Sequence, residues 1–585
     1  MTDKIYTNFE LDLFSQIFNP MNMKKLVFCS LLLASVVPGF SQSQRFVMFE
    51  EFTQASCPPC AAQNPAFDAL LTANASKCTS IKYHTNWPGV DPMNTQNPAD
   101  VASRVSYYQV QWVPYAIMDG TPATGSDFVG APDNVTQSII NAEYAVPSSF
   151  NLSMFHYLSA GNDTIYVTML GQCTQAVSGT LAGQIGVIEK HIHFNTPPGS
   201  NGERDFYNVM KKMLPTVSGT SLPSSFQTGD YFIAQGAWKL ANVYSLTELS
   251  AVGFIQNNIN KNILQGANSS TTPLTMPFNN DVQLMTVVNY STANCSGSIA
   301  PEVTIRNNGN DPVTSMTIKY SVNSGTPATY FWNGNLPTLH ETVISLPAYT
   351  FVPAASNVLR IYSDQVNNVT DEYLKNDTVN AFISGAVSTA GNPILILHTD
   401  NAPNETTWDV RNTAGTVVDS GGPYTQANHT SFDTLHLDDL GCYTFTIYDA
   451  GGNGICCTNG NGGYQLITST GSVIKQGGSF GSSEFIEFKM DWPVAVEQFE
   501  KTSMKVYPNP FSGEAKVTFH LLNPEIVVLT LYNSTGQPVR SLNKGSFPSG
   551  DHECTLDAGN LASGLYLLKL QAGSQLHICK VSVNR

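Results

Sequence analysis

Two cysteines separated by two prolines, Cys57-Pro58-Pro59-Cys60, carry the clearest chemistry in the sequence. The apolar run Phe46-Val47-Met48-Phe49 precedes them, and a helix-period stretch from Cys60 to Leu71 follows. The pair is therefore predicted to sit where a strand feeds a helix. That position suits redox chemistry: the free N–H groups and dipole of a helix start stabilise a thiolate, which makes Cys57 the expected nucleophile. Cys60, one turn further on, is placed to attack the mixed disulfide and release the substrate. A metal would need two more ligands at suitable spacing, and no second pair of this kind lies in the same region. The competing reading is an inert short-loop disulfide in an exported domain.

The rest of the chain must position this pair. At 585 residues it exceeds what one hydrophobic core serves, so several domains are expected. The formal net charge is −16 with 12% charged residues, and no Lys/Arg cluster offsets it, which excludes nucleic acid as a partner. Lys24-Lys25, the apolar stretch Leu26 to Val37 and Gly39-Phe40-Ser41 read as a secretory signal. The residues before Met21 have no place in such a signal, so residues 1–41 are read as a spurious extension plus signal peptide. No later stretch approaches the ~18–20 apolar residues that a membrane-crossing helix needs. With Cys29 inside the signal, ten of the eleven cysteines remain in an exported chain, where disulfides are favoured.

The predicted fold is multidomain and mainly β, with an α/β domain over 42–145 followed by tandem sandwich and immunoglobulin-like domains. Runs such as Thr164–Leu170 and Gln184–Ile188, set between Gly/Asn/Ser turns, predict a β-sandwich over 146–275, with one helix around Asp205 to Met213. Strands about Ala300–Arg306 and Met316–Val322, with Asn308-Gly309 in a turn between them, predict an immunoglobulin-like domain over 280–388. A β-jelly-roll-like accessory domain over 391–490 and a small β domain over 497–585 complete the chain. In the accessory domain, loop oxygens of Asp400, Glu405, Asp449 and Asn453 are calcium candidates, although their spacing is not that of an EF-hand. The plainer reading is glycine-built turns stapled by Cys442 to Cys456 or Cys457. Cys78 is read as a core cysteine. His84, His191 and His193 are read as strand histidines facing solvent and core alternately, not as metal ligands. No cofactor is expected beyond the calcium possibility.

The dithiol segment resembles the thioredoxin-like superfamily. Phe52 stands five residues before Cys57, Glu51 where a buried carboxylate is often kept, and Pro65 five residues beyond Cys60. Val113-Pro114, followed by Tyr115-Ala116-Ile117-Met118 and Asp119-Gly120, looks like the family's cis-proline loop. The resemblance implies that Glu51 accepts the Cys60 proton, and that Pro114 shapes a groove where the Val113 backbone pairs with an extended substrate. Two features depart from the pattern: Ser56 replaces the usual aromatic, and an insertion holding His84, Trp87, Asp91, Met93 and Asn94 lengthens the path to Pro114.

Residues 45–275 as a whole are similar to a thioredoxin-like outer-membrane protein family of Bacteroidota. The segments that carry this are Glu50-Glu51-Phe52-Thr53, Tyr83-His84 with Trp87-Pro88-Gly89, Phe206–Met210 and Met213-Leu214-Pro215. The tail resembles the C-terminal sorting domain of the type IX secretion system, through Val506-Tyr507-Pro508-Asn509-Pro510-Phe511, Leu529–Gly536, Leu561–Leu570 and Lys580–Arg585. These resemblances imply export across both membranes by the type IX machinery, secretion or cell-surface attachment, and thiol–disulfide exchange with protein or peptide disulfides. The alternative is a non-catalytic surface adhesion or binding protein that uses the N-terminal domain as a scaffold.

Overall fold

The computed structural model describes residues 42–491 and 504–585, apart from 535 and 574. The expected signal segment, the extension before it and the start of the tail domain at 497 lie outside the described residues. Two compact units divide the chain, one ending at Thr275 and the other beginning at Met276. Both are mainly β.

The first unit is built outward from strand β1 (Val47–Thr53), which is buried on both faces along its whole length. It pairs in parallel with β2 (Cys78–His84) and antiparallel with β3 (Tyr115–Met118), beyond which lies the short β4 (Thr121–Pro122). Helix α1 (Pro58–Ala73) connects β1 to β2, and α2 (Pro92–Gln96) and α3 (Pro98–Tyr108) lead from β2 towards β3. The chain then forms β5 (Phe150–Leu158), β6 (Thr164–Cys173), β7 (Leu181–His193), β8 (Asp205–Leu214), β9 (Tyr231–Lys239), β10 (Leu249–Asn257) and β11 (Ile263–Ser270).

These strands correct the expected boundary at 145/146. All of them belong to one sheet, ordered β9-β6-β5-β11-β10-β7-β8-β2-β1-β3-β4, in which β8 adds to β2 at Val209 and Lys82. An unpaired β2 would leave open backbone groups, and β8 covers that edge. One core crosses the expected boundary as well: Met48, Phe52, Ile81 and Tyr83 pack with Ile188, Met210, Val252 and Phe254. The helix expected around Asp205 to Met213 is strand β8. Its Met and Lys residues favour helix locally, but a ladder with β7 running from His193–Asp205 to Ile185–Leu214 overrides that preference.

A buried polar network lies across the same region. Arg104 on α3 donates from Nε to Glu50 Oε1 at 3.0 Å, the Tyr83 and Tyr108 hydroxyls also donate to the Glu50 carboxylate, and Gln256 of β10 donates to the Tyr108 oxygen at 2.7 Å. Each polar group is thereby satisfied away from water, which is the condition for burying it without a large penalty.

In the second unit, paired sheets enclose successive cores. Val303, Ile305, Ile318, Leu359 and Ile361 mark the first, Leu397, Val410, Phe445, Ile447 and Phe488 the second, and Val517, Leu529, Leu531, Leu568 and Leu570 the tail. The expected Cys442 pairing is corrected: Cys442 bonds Cys295, and Cys456 bonds Cys457. Cys442 opens the strand Gly441–Asp449, whereas Cys456 and Cys457 lie past its far end. Roughly 20 Å of extended strand separates them, beyond the reach of a disulfide.

Candidate functional site

Cys57 caps the N-terminus of α1. Its Sγ accepts the Cys60 N–H at 3.1 Å, and the two cysteines form a disulfide with Cα atoms 5.2 Å apart. Pro58 and Pro59 occupy the first helical positions, where no N–H is needed and the ring presets φ. Because β1 and β3 pair antiparallel, with Phe52 opposite Tyr115, the end of β1 and the start of β3 meet beside α1. The Val113–Pro114 peptide is cis, and the Val113 carbonyl oxygen lies 3.4 Å from Cys57 Sγ. Cys57, Cys60, Val113 and Pro114 are thus brought together.

Glu51 lies on the strand that feeds the disulfide and sits directly opposite Lys82 in the β1–β2 register. Its Oε2 is 2.7 Å from Lys82 Nζ, which also reaches Asp68 of α1 at 2.5 Å. Oε1 has no hydrogen-bond partner among the described residues. Burial raises the Glu51 carboxyl to about 7 in spite of the neighbouring ammonium. Glu203 is also held above its ordinary range by burial. Lys82 and Asp68 were not singled out from the sequence, although a lysine inside the apolar run Ile81-Lys82-Tyr83 was a signal for a buried partner.

A pH dependence follows. The folded chain keeps the Glu51 proton up to about pH 7, while an unfolded glutamate releases it near 4.5. The native state therefore binds more protons between these values, and stability falls as pH rises through that window. Glu51→Gln is expected to remove this part of the slope in urea unfolding of the full chain at pH 5 and pH 8. Asp119, raised by burial to about 7, leaves a residual slope. Identical pH dependence in both proteins would contradict the assignment.

The segment from Gln54 to Cys57 that leads into the disulfide is held on two sides. Asn201, in the connection between β7 and β8, donates from Nδ2 to the Cys57 and Gln54 carbonyls at 3.2 and 3.3 Å, and Ser200 N–H donates to Ser56 Oγ at 3.0 Å. Ser56 in turn donates to the Val90 carbonyl at 2.9 Å. A Cβ on Gly199 would stand 2.1 Å from the Ala55 oxygen, and one on Gly89 would stand 2.7 Å from Ser56 Cβ. Two backbones therefore close on position 56, which accounts for a small residue there. Cys57 is only 1% exposed.

The insertion serves this architecture. Asp91 accepts the Ala55 N–H at 2.8 Å and caps α2, and its Oδ2 is 2.8 Å from His84 Nδ1. Burial opposes the Asp91 charge, but the His84 ring and the backbone N–H groups outweigh it and hold the carboxyl below its usual range. Cys78 is buried, and burial pushes its thiol up to about 12, which makes it unreactive.

Of the calcium candidates, Glu405 and Asn453 flank Gly451, and Asp449 Oδ2 accepts the Asn453 and Gly454 N–H groups at 3.0 and 3.1 Å. Asp400 Oδ1 accepts the Ala402 N–H. The Asp400, Glu405 and Asp449 carboxylates do not converge within reach of one ion. His191 and His193 do not alternate between solvent and core. Two residues apart on β7, they share one face, as a period of two requires.

Residues 505–584 match the family model described as a secretion system C-terminal sorting domain. The tail is the signal of type IX secretion, so the chain engages that machinery and is exported to the cell surface or the extracellular space. No curated protein matches the chain at a significant level. Among solved structures, HBP35 of Porphyromonas gingivalis is 13% identical with a TM-score of 0.34, the match covering 59% of this chain and 99% of that one. The CARDB domain of the PF1109 protein of Pyrococcus furiosus is 20% identical with a TM-score of 0.16, over 20% and 95% of the two chains. A biofilm-associated protein BSP domain is 9% identical with a TM-score of 0.15, over 74% and 96%. At such scores the fold is read from the strands themselves.

Proposed function

We propose that this exported chain is a thiol–disulfide oxidoreductase acting on protein or peptide disulfides through Cys57 and Cys60. The observation that carries the reading is the Cys57 sulfur at a helix N-terminus, bonded to Cys60 and 3.4 Å from the Val113 carbonyl that precedes Pro114. In the reduced form, the Cys57 thiolate attacks a substrate disulfide, forming a mixed disulfide and releasing one substrate thiolate. Cys60 gives its proton to Glu51 and attacks Cys57 Sγ, which re-forms the Cys57–Cys60 bond and releases the second substrate thiolate. Two electrons pass to the substrate, and an external thiol reductant restores the dithiol. A Glu51 carboxyl titrating near neutrality suits this proton transfer. Pro114 and Val113 frame the substrate backbone.

A second reading, a surface-binding protein with the first unit as scaffold, is favoured by the 1% exposure of Cys57. Exchange with a protein substrate requires Cys57 to become exposed. Reduction of insulin disulfides by the full chain, compared with Cys57→Ser, separates the two readings.

A further inference from the structure

We propose that His191, His193 and Asp205 form a binding site for a divalent transition-metal ion of the zinc or copper kind. His191 Nε2 and His193 Nδ1 lie 2.9 and 2.8 Å from the same oxygen, Asp205 Oδ1. The backbone builds this arrangement: the histidines are two residues apart on β7 and face one way, and Asp205 on β8 is the register partner of His193. Tyr207, the register partner of His191, stacks its ring on that imidazole at 4.8 Å and 14°.

Two imidazoles and one carboxylate are a donor set that zinc and copper accept, with the remaining positions left to water or an incoming ligand. Side-chain exposures of 40%, 52% and 46% give an ion access without disturbing the core. With both rings hydrogen-bonded to Asp205, their nitrogens do not yet converge on one point. Exposed rings turn about their side-chain torsions at little cost, and the ion then replaces the two hydrogen bonds to the carboxylate. The three ligands sit at the neck of the connection whose Ser200 and Asn201 bond Ser56 and the Cys57 carbonyl.

The test is calorimetric titration of the full, oxidised chain with zinc chloride, and with copper sulfate followed by electron paramagnetic resonance. One site with nitrogen ligands is expected in the wild type. It should be lost in the His191→Ala/His193→Ala double variant and weakened about tenfold in Asp205→Asn, with melting temperatures in the absence of metal unchanged. A wild-type chain that binds neither ion would overturn the proposal, as would a double variant that binds as tightly as the wild type.

Discussion

Arg104→Met is expected to destabilise the first unit by about 3–5 kcal/mol, because it leaves the Glu50 carboxylate buried without its cation. Glu50 is fully buried, and its surroundings are the Tyr83 and Tyr108 hydroxyls and the guanidinium itself. The guanidinium also lies over the rings of Tyr107, Tyr108 and Phe254 at 4.7, 5.1 and 5.7 Å, so the substitution removes favourable ring contacts as well. Two hydroxyl donors do not replace a full charge. Replacing both members of the pair with apolar residues, as in Glu50→Leu/Arg104→Met, should recover much of the loss, since no charge is then left buried. Urea unfolding followed by near-ultraviolet circular dichroism measures both variants. A single-variant cost below about 1 kcal/mol would show that the pair does not anchor α3 to β1.

The second large effect concerns the second unit. Cys295 and Cys442 are joined across a sequence separation of 147, so their disulfide removes much of the chain entropy of the unfolded state. For a loop of this length the expected loss in the Cys295→Ser/Cys442→Ser variant is about 5 kcal/mol. Glu487 limits local damage: its carboxylate accepts the Cys295 and Ser296 N–H groups at 2.9 Å each and the Asn294 amide at 3.1 Å. The folded arrangement is therefore held partly without the covalent bond, and the main consequence falls on the unfolded chain. Guanidinium unfolding of the variant and the wild type is the measurement, and coincident midpoints would contradict the assignment.

What was legible in the sequence was local. The Cys57–Cys60 spacing, the apolar run before it and the helix after it are neighbours in the chain, and Val113-Pro114 followed by a short strand has its own signature. Contacts set by strand register were not legible. Glu50 and Arg104 lie far apart in sequence, and nothing in either segment indicates that β1 and α3 face each other across a core. Lys82 meets Glu51 only because β1 and β2 pair in parallel at that register. Ser200 reaches Ser56 and Asn201 reaches Cys57 because β7 and β8 extend the same sheet, a pairing that a boundary at 145 concealed. For Cys442, sequence proximity pointed to Cys456 and Cys457, while the length of the intervening strand directs it to Cys295. The histidines of β7 were read as facing solvent and core alternately, although a spacing of two puts both on one face; their partner Asp205 awaited the register.

The most direct test of the account is turnover at the dithiol. Insulin disulfide reduction is measured with the full chain and with its Cys57→Ser variant, under the same thiol reductant and at matched concentrations. The account predicts catalysis above the reductant background that disappears in the variant. Two proteins that both match the background rate would contradict it, and the first unit would then be a scaffold whose buried disulfide is structural.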